Sequence, residues 1–262
     1  MTMWSFNNIS EINNRCQVVD HLSFNMDKIF KEESMTEILG TNSTWHYMEQ
    51  RTAEWYLMRK GVFTGSSIRN FVRPNGEPYT KAAKENYYNT VLAGLRQSES
   101  RFLEQAFDSQ ERISAPMKRG TDLEPEALEK YKQMTDYDVE AVGFIRHNQY
   151  PLGCSPDGVI ESEHKGVEIK VPLNYNHTRV WKTREIPEKY YGQLQMCMWL
   201  TGYKQWDFFS YCEPEDNQPS VIITVAYDEE WVKGMLNTVI PICHELAIDS
   251  ADMDDQLVQE EK

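Results

Sequence analysis

The chain has 262 residues, 40% of them hydrophobic and 12% aromatic, so it is long enough to bury the core of one large domain. Its formal net charge of −14 is unusual for a DNA-binding protein, because neutralising phosphates requires exposed Lys and Arg. No apolar run approaches the roughly 20 residues that span a bilayer, residues 1–10 lack the pattern of a signal peptide, and five scattered cysteines without CxxC spacing argue for a reducing cytoplasm and against zinc or iron–sulfur clusters.

In chain order, the sequence predicts three parts. Residues 1–45 show weak periodicity and are predicted to form an N-terminal extension with a short helix over 26–39. Residues 46–248 form the predicted globular domain. Residues 249–262 form an acidic tail, which we expect to be disordered because it is strongly charged and offers little apolar surface to bury.

The first half of the globular domain is predicted to be mainly helical. A helix is expected to open after Thr64, residues 73–76 carry a turn signal, and Pro116 is expected to break the chain. Two further helices are predicted over residues 81–110 and 122–135, the second with acidic residues in its first turn and apolar residues on one face.

The second half of the domain alternates strands and helices. Helices are predicted over 190–201, which ends before Gly202 at a position favoured by glycine, and over 229–248, which is long and amphipathic. The predicted strands span residues 139–146, 158–161, 167–171, 205–211 and 220–227. This order of elements predicts a mixed α/β (α+β) fold, with a central mixed sheet flanked by helices.

Charge is unevenly distributed along the chain. Residues 228–262 contain ten acidic and two basic residues, whereas residues 59–120 contain eleven basic and six acidic residues. An acidic exterior with a locally basic channel would suppress non-specific binding and still attract a nucleic-acid strand. Ordinary variation of surface charge along a chain is the alternative explanation.

The predicted hairpin at 158–171 carries the residues that point most directly to chemistry. Side chains alternate faces along a strand, so Glu168 and Lys170 share a face, and Asp157 at the head of the first strand can lie opposite them. Two carboxylates facing one gap favour a hard divalent cation such as Mg²⁺ or Mn²⁺, and Lys170 could then orient or deprotonate an attacking water. The alternative is a common Asp-Gly turn followed by an ion pair on a solvated strand.

Five short motifs in order resemble those of the lambda-exonuclease-type (YqaJ-like) viral recombination nucleases, which have the PD-(D/E)xK restriction-endonuclease-like fold. The resemblance covers about residues 45–245. The motifs are Trp55-x-x-x-Arg59-x-Gly61-x-x-Thr64-Gly65-Ser66, Gly120-x-x-x-Glu124, Gly153-Cys154-Ser155-Pro156-Asp157-Gly158, Glu168-Ile169-Lys170-Val171-Pro172 and Tyr191-Gly192-Gln193-Leu194-Gln195-Met196.

The resemblance implies a catalytic centre with two Mg²⁺ ions, for which Mn²⁺ could substitute. It makes Lys170 the residue that serves the attacking water and places Gln193 at the active site, while Gln195 points elsewhere because residues two apart on a helix do not share a face. Without the motif, Glu124 would be assigned to balancing a helix dipole. The implied metal ligands are Asp157, Glu168, the backbone carbonyl of Ile169, and Glu124.

The resemblance also implies a pocket for the terminal 5′-phosphate of the digested strand. A guanidinium and hydroxyls near a helix N-terminus suit that group, although a Thr-Gly-Ser sequence alone more often forms a helix cap. Met117 falls where the family places an apolar residue that separates the strands, or it belongs to an exposed loop. The residues predicted for the pocket are Arg59, Thr64, Ser66 and Ser155.

The function implied by the resemblance is 5′→3′ digestion of one strand of linear double-stranded DNA, leaving 3′ overhangs for recombination by strand annealing. It further implies a ring-shaped homotrimer, a single-strand annealing protein as partner, and a cytoplasmic phage or prophage protein in a bacterial host. An endonuclease or repair nuclease of the same fold is one alternative. A non-enzymatic DNA-binding module is another, although such a module has no use for acidic side chains clustered next to phosphates.

Overall fold

The computed structural model describes residues 41–73 and 81–260. The predicted helix over 26–39 lies outside these residues. The helices are α1 (Ala53–Met58), α2 (Lys81–Arg96), α3 (Glu99–Glu111), α4 (Ala115–Thr135), α5 (Asn174–Thr183), α6 (Glu188–Thr201) and α7 (Glu229–Glu260). The strands are β1 (Ser43–His46), β2 (Phe63–Thr64), β3 (Phe144–His147), β4 (Leu152–Cys154), β5 (Gly158–Ile160), β6 (Lys165–Lys170), β7 (Gln205–Ser210) and β8 (Val221–Ala226). Among the described helices, none combines the length and apolar character needed to cross a membrane.

The strands form two mixed sheets of four strands each, in the orders β1-β3-β4-β2 and β5-β6-β7-β8. Each sheet contains one parallel pair, β2 with β4 and β6 with β7, and the remaining pairs are antiparallel. An antiparallel bridge between Glu140, in the segment before β3, and Val159 of β5 extends the pairing of the second sheet. The predicted mixed arrangement of strands and helices is therefore observed, with the strands divided between two sheets.

Helix α6 lies at the centre of the core. Its residues from Leu194 to Leu200 are all buried, as expected for a helix that is apolar on every side. One face packs on a short 3₁₀ helix at Gly65–Asn70, and Gly192 allows close contact, since a Cβ there would lie 2.9 Å from Ile68. Helix α6, which carries Gln193, also contacts β3 and β4 of the first sheet.

Helix α4 covers the second sheet through a separate apolar cluster. Its buried residues Ala127 and Tyr131 pack with Val167 and Ile169 of β6 and with Phe209 of β7. Val167 and Ile169 therefore face α4. The predicted catalytic residues Glu168 and Lys170 occupy the alternate positions of β6 and face the other way.

Several element boundaries differ from the sequence predictions for identifiable reasons. Helix α4 begins at Ala115 rather than at residue 122, and Pro116 occupies its first turn, where a missing N–H costs nothing. Helix α7 continues to Glu260, beyond the predicted end at residue 248, because no Gly or Pro follows to stop it. Only Glu140 pairs in the first part of the strand predicted over 139–146, and β3 begins at Phe144.

Strand β1 also lies in the part of the chain that the sequence assigns to an N-terminal extension. It pairs antiparallel with β3, with Ser43 opposite His147 and His46 opposite Phe144. The sheet therefore includes residues that precede the predicted start of the globular domain at residue 46. The domain boundaries themselves stay a prediction.

Candidate active site

The hairpin of β5 and β6 brings three predicted catalytic residues to one end of the second sheet. Asp157 immediately precedes β5, and its Oδ2 accepts a hydrogen bond of 2.6 Å from the backbone N–H of Ile169. The Lys170 Nζ forms a very short ion pair with Glu168 Oε1 and lies 4.0 Å from Asp157 Oδ2. The shared face of Glu168 and Lys170 expected from strand alternation is confirmed, while their catalytic roles stay predictions.

Burial makes this acidic pair electrostatically costly. Glu168 is 1% exposed, and its Oε2 has no hydrogen-bond partner in the described part of the chain. Burial, and then the neighbouring Glu168 carboxylate, raise the pKa of Asp157 well above its ordinary value, although Lys170 partly opposes the effect. Burial alone would lower the pKa of Lys170, but the Glu168 and Asp157 carboxylates outweigh it and raise that pKa above its ordinary value.

Gln193 reaches the same carboxylate from α6. Its Nε2 donates a 2.7 Å hydrogen bond to Glu168 Oε1. Gln195 points away, with its Nε2 donating to the Ala226 carbonyl and its Oε1 accepting from the Asp228 N–H. The two glutamines therefore divide as predicted, one facing the site and one joining β8 to the start of α7.

Glu124 lies on α4 at the edge of this cluster. Its Oε2 forms a 2.6 Å ion pair with Arg51 Nη2, and the two side chains are 28% and 39% exposed. The charge of Glu124 reaches Asp157, because it is one of the causes that raise the pKa of Asp157. Glu124 is thus near the acidic pair, but it is held by an arginine that the sequence did not point out.

Arg59 occupies a half-buried position beside the acidic cluster. Its Nη1 donates a 3.0 Å hydrogen bond to Ser155 Oγ, and its guanidinium stacks 4.2 Å from the centre of the Trp55 ring. Among the described residues, no carboxylate forms an ion pair with it. Burial lowers the pKa of Arg59 to about 10, so the side chain stays cationic at neutral pH and is available to an anion.

Hydroxyl groups lie near Arg59 at the start of the 3₁₀ helix. The Ser67 Oγ donates to the Thr64 carbonyl at 2.7 Å and accepts from the Thr64 N–H at 3.1 Å. The Thr64 Oγ1 lies 3.4 Å from Ser66 Oγ and 3.1 Å from Ser67 Oγ. Ser67 therefore satisfies the backbone N–H and carbonyl of Thr64. The Ser66 hydroxyl is not needed for those two bonds, and Ser66 lines the cleft.

One cleft with a volume of about 180 Å³ joins the two groups of residues. It brings together every predicted site residue except Met117, which is 60% exposed on α4 and does not line the cleft. The predicted residues that line it are Arg59, Thr64, Ser66, Glu124, Ser155, Asp157, Glu168, Ile169, Lys170 and Gln193.

Five other residues line the cleft without a predicted role: Gln50, Arg51, Trp55, Gly65 and Cys154. Trp55 precedes Arg59 by four positions, so helical spacing could have placed both on one face of α1. The Trp55 Nε1 lies 3.0 Å from Ser155 Oγ and 2.9 Å from the Gly143 carbonyl, which fixes the partner of Arg59. No spacing or composition signal distinguishes Arg51.

The donor set fits a hard divalent cation in its chemistry. Asp157 and Glu168 supply carboxylate oxygens, the ligand type that Mg²⁺ and Mn²⁺ prefer, and the unpartnered Glu168 Oε2 is a buried oxygen that a cation would satisfy. Among the described residues, no three His, Cys, Asp or Glu side chains surround one common point. The third predicted acid, Glu124, is turned to Arg51 instead.

Comparisons with known proteins identify the family and the fold of the chain. A model of the YqaJ-like viral recombinase domain family matches residues 54–204. The structure of an alkaline exonuclease from Laribacter hongkongensis is 26% identical, with a TM-score of 0.64 over 79% of this chain and 99% of that chain. The same enzyme in complex with dAMP is 27% identical, with a TM-score of 0.65 over the same shares of both chains. No protein of curated function matches the sequence. The predicted fold class, a mixed α/β nuclease core of PD-(D/E)xK type, is confirmed.

Proposed function

Because the chain belongs to the YqaJ-like viral recombinase domain family, we propose that it is a metal-dependent 5′→3′ exonuclease acting on linear double-stranded DNA. It digests one strand and leaves a 3′ single-stranded overhang for recombination by strand annealing. The family and the alkaline exonuclease that shares its fold support a DNA exonuclease. The polarity, the overhang and the metal requirement are part of the proposal.

The observation that carries the proposal is the meeting of two kinds of site in one cleft. A buried carboxylate at Glu168 and a half-buried one at Asp157 lie with Lys170 beside a half-buried arginine that has hydroxyl neighbours. The first set suits hydrolysis of a phosphodiester, and the second suits an anchored terminal phosphate. An enzyme that cuts only next to a chain end needs both within the length of a nucleotide.

In this proposal Asp157, Glu168, the Ile169 carbonyl and Glu124 hold divalent cations, Mg²⁺ or Mn²⁺ and two in number. Such cations supply Lewis-acid stabilisation of charge on the phosphate and a lower pKa for water. The Lys170 Nζ orients the attacking water, and Gln193 fixes the Glu168 carboxylate through Oε1.

The terminal phosphate and the phosphodiester bond to be cut are held by different residues. Arg59 offers a planar pair of N–H donors that matches phosphate oxygens, and Trp55 stacking keeps its guanidinium in place. Ser155, Ser66 and Thr64 contribute hydroxyl donors. The distance from this pocket to the acidic pair then sets how far from the terminus the strand is cut.

We further propose that the enzyme is a homotrimeric ring in the cytoplasm of a bacterial host, as a phage or prophage protein, with a single-strand annealing protein as partner. A closed ring around DNA keeps the enzyme on its substrate without high affinity. That arrangement suits a chain whose formal net charge is −14. The four cysteines in the described part of the chain are free, in agreement with a reducing compartment.

The decisive experiment uses linear duplex DNA labelled at either the 5′ or the 3′ end and incubated with Mg²⁺. We expect release of mononucleotides from the 5′ label first, survival of the complementary strand, and no reaction with EDTA. Covalently closed circular DNA is the control and should resist digestion. Cutting of the circle would identify an endonuclease, and binding without cutting of any substrate would identify a non-enzymatic DNA-binding module.

A further inference from the structure

Arg51 is the one described residue that both lines the cleft and has a left-handed backbone, with a φ of 67°. Residues other than glycine, Asn and Asp seldom adopt this conformation, because the Cβ crowds the following carbonyl. Outliers of this kind persist where the surroundings hold them in place, and they cluster at functional sites. The left-handed backbone of Arg51 therefore indicates that this residue does more than reverse the direction of the chain.

The loop that carries Arg51 is fastened on both sides. Gln50 donates from Nε2 to the Pro156 carbonyl at 2.9 Å, directly before Asp157. Thr52 is the N-cap of α1, and its Oγ1 accepts a hydrogen bond from the Trp55 N–H. The backbone of Arg51 is thus fixed between the acidic pair and the helix that carries Arg59.

The side chain of Arg51 has one strong contact, the 2.6 Å ion pair with Glu124 Oε2. Lys170 plays the same part for Glu168 and Asp157. Each of the three acids in the cleft therefore has a basic side chain near it, although the single charge of Lys170 is shared between two carboxylates. A divalent cation that binds Glu124 competes with the guanidinium for this carboxylate, because the two cations repel each other at such a distance.

Building on the proposed function, we propose that Arg51 is a switching residue: it occupies Glu124 in the free protein and moves to a DNA phosphate when a divalent cation takes Glu124. Arg51 is 39% exposed in its side chain, so it has room to turn within the open cleft. A guanidinium released there faces the substrate with free N–H donors, for which phosphate is the matching acceptor. Metal binding and DNA binding are then coupled through one side chain.

The first test measures divalent-cation binding without DNA, by calorimetric titration with Mn²⁺. In Arg51→Gly the cation no longer competes with a guanidinium for Glu124, so we expect the weaker of the two cation sites to tighten about fivefold. Glycine tolerates the left-handed backbone, so the variant should fold, and Arg51→Asn gives a second neutral variant suited to that conformation. Arg112→Ala is the control, since it removes an exposed arginine that pairs with Asp108 on α3, outside the cleft.

The second test measures binding of a 5′-phosphorylated duplex by fluorescence anisotropy, in Ca²⁺ and in EDTA. We expect Arg51→Gly to weaken binding about tenfold in Ca²⁺ and to have little effect in EDTA, where the arginine of the wild type remains on Glu124. The loss of one phosphate contact should also reduce the salt dependence of binding in Ca²⁺ by about one counterion.

Two results would overturn the inference and leave the proposed function standing. One is a wild-type chain that binds Mn²⁺ and digests linear DNA while Arg51→Gly has unchanged Mn²⁺ affinity. The other is an equal loss of duplex affinity in Ca²⁺ and in EDTA, which would make Arg51 a permanent DNA contact. A wild-type chain that neither binds Mn²⁺ nor digests DNA would overturn the proposed function and this inference together.

Discussion

Arg59 shows how a single side chain can be prepared for an anion by its surroundings. Removing a guanidinium from water is costly, yet no described carboxylate compensates Arg59, and its neighbours are the Trp55 ring and the Ser155 hydroxyl. Its pKa of about 10 reflects that burial. A doubly charged terminal phosphate would supply the missing counter-charge, which an uncharged terminal hydroxyl cannot do.

We expect Arg59→Ala to lower digestion most strongly for duplex DNA with a 5′-phosphate. The rate ratio between phosphorylated and hydroxyl ends should fall towards one, because the preference depends on a bidentate contact that is lost. Arg59→Lys should not restore it, since an ammonium does not reproduce the planar fork. The measurement is the initial rate on both substrates, and an unchanged ratio would assign Arg59 a purely structural role.

The acidic pair leads to a second prediction about individual side chains. Asp157→Ala should reduce cleavage by a factor on the order of 10² or more, because loss of a metal ligand removes several kcal/mol of charge stabilisation in the transition state. Lys170→Ala should also stop turnover but leave Mn²⁺ binding measurable. Asp122→Ala, which removes an exposed acid of α4, is the control. Near-normal rates in Asp157→Ala or Lys170→Ala would rule out the assigned chemistry.

At the level of secondary structure, the second sheet is held together by a buried ionic network next to the site. Asp207 on β7 is 1% exposed and accepts from Lys165 on β6 at 2.7 Å, from the Tyr131 hydroxyl at 2.6 Å and from the Thr224 hydroxyl at 2.7 Å. The network joins α4, β6, β7 and β8. Since β6 also carries Glu168 and Lys170, the position of the catalytic residues depends on it.

Asp207→Asn should destabilise the fold by about 3–5 kcal/mol, because it leaves the Lys165 ammonium buried without a counter-charge. The double variant Lys165→Met with Asp207→Leu should recover part of that loss, since apolar residues of similar volume avoid the desolvation cost. Urea unfolding followed by circular dichroism measures both. The matched control is Lys118→Met, which breaks an exposed pair with Asp122 and should cost at most about 1 kcal/mol. An effect of Asp207→Asn no larger than that of the control would show that the network is not needed for stability.

For the whole molecule, the question is how an acidic protein stays on DNA. Basic residues are concentrated in residues 59–120, while residues 228–262 are strongly acidic. An assembly that encloses DNA would place the basic part towards the duplex and the acidic part outside, so that a modest affinity suffices.

If the ring proposal is correct, light scattering should give the mass of three chains, about three times 30.7 kDa. Digestion should continue when excess unlabelled DNA is added after the reaction has begun, because a closed ring does not release its bound DNA to take up another molecule. Asp157→Ala should have the same mass, which separates assembly from catalysis. A monomer that releases its substrate after each cut would contradict the ring and leave the chemistry unaffected.

How much of the structure the sequence alone predicts depends on how far apart in the chain the interacting residues are. Strand alternation alone placed Glu168 beside Lys170, and the Asp-Gly turn placed Asp157 at the head of the hairpin, because backbone geometry repeats every two residues. The order of the five motifs along the chain also predicted the fold class correctly. Local rules failed at Pro116, which starts a helix instead of breaking the chain, and at the end of α7.

The remaining parts of the site depend on contacts between segments far apart in the chain. Gln193 meets Glu168 across 25 positions and Arg51 meets Glu124 across 73, and no local pattern encodes either separation. Packing of α6 on the 3₁₀ helix and of α4 on the second sheet brings them together. Met117 lies outside the cleft for the same reason, since the rotation of α4 about its axis follows from which side chains it buries. Short motifs in the sequence therefore predict which residue types form the site. The hydrogen-bond and ion-pair partners of those residues depend on how the helices pack against the two sheets.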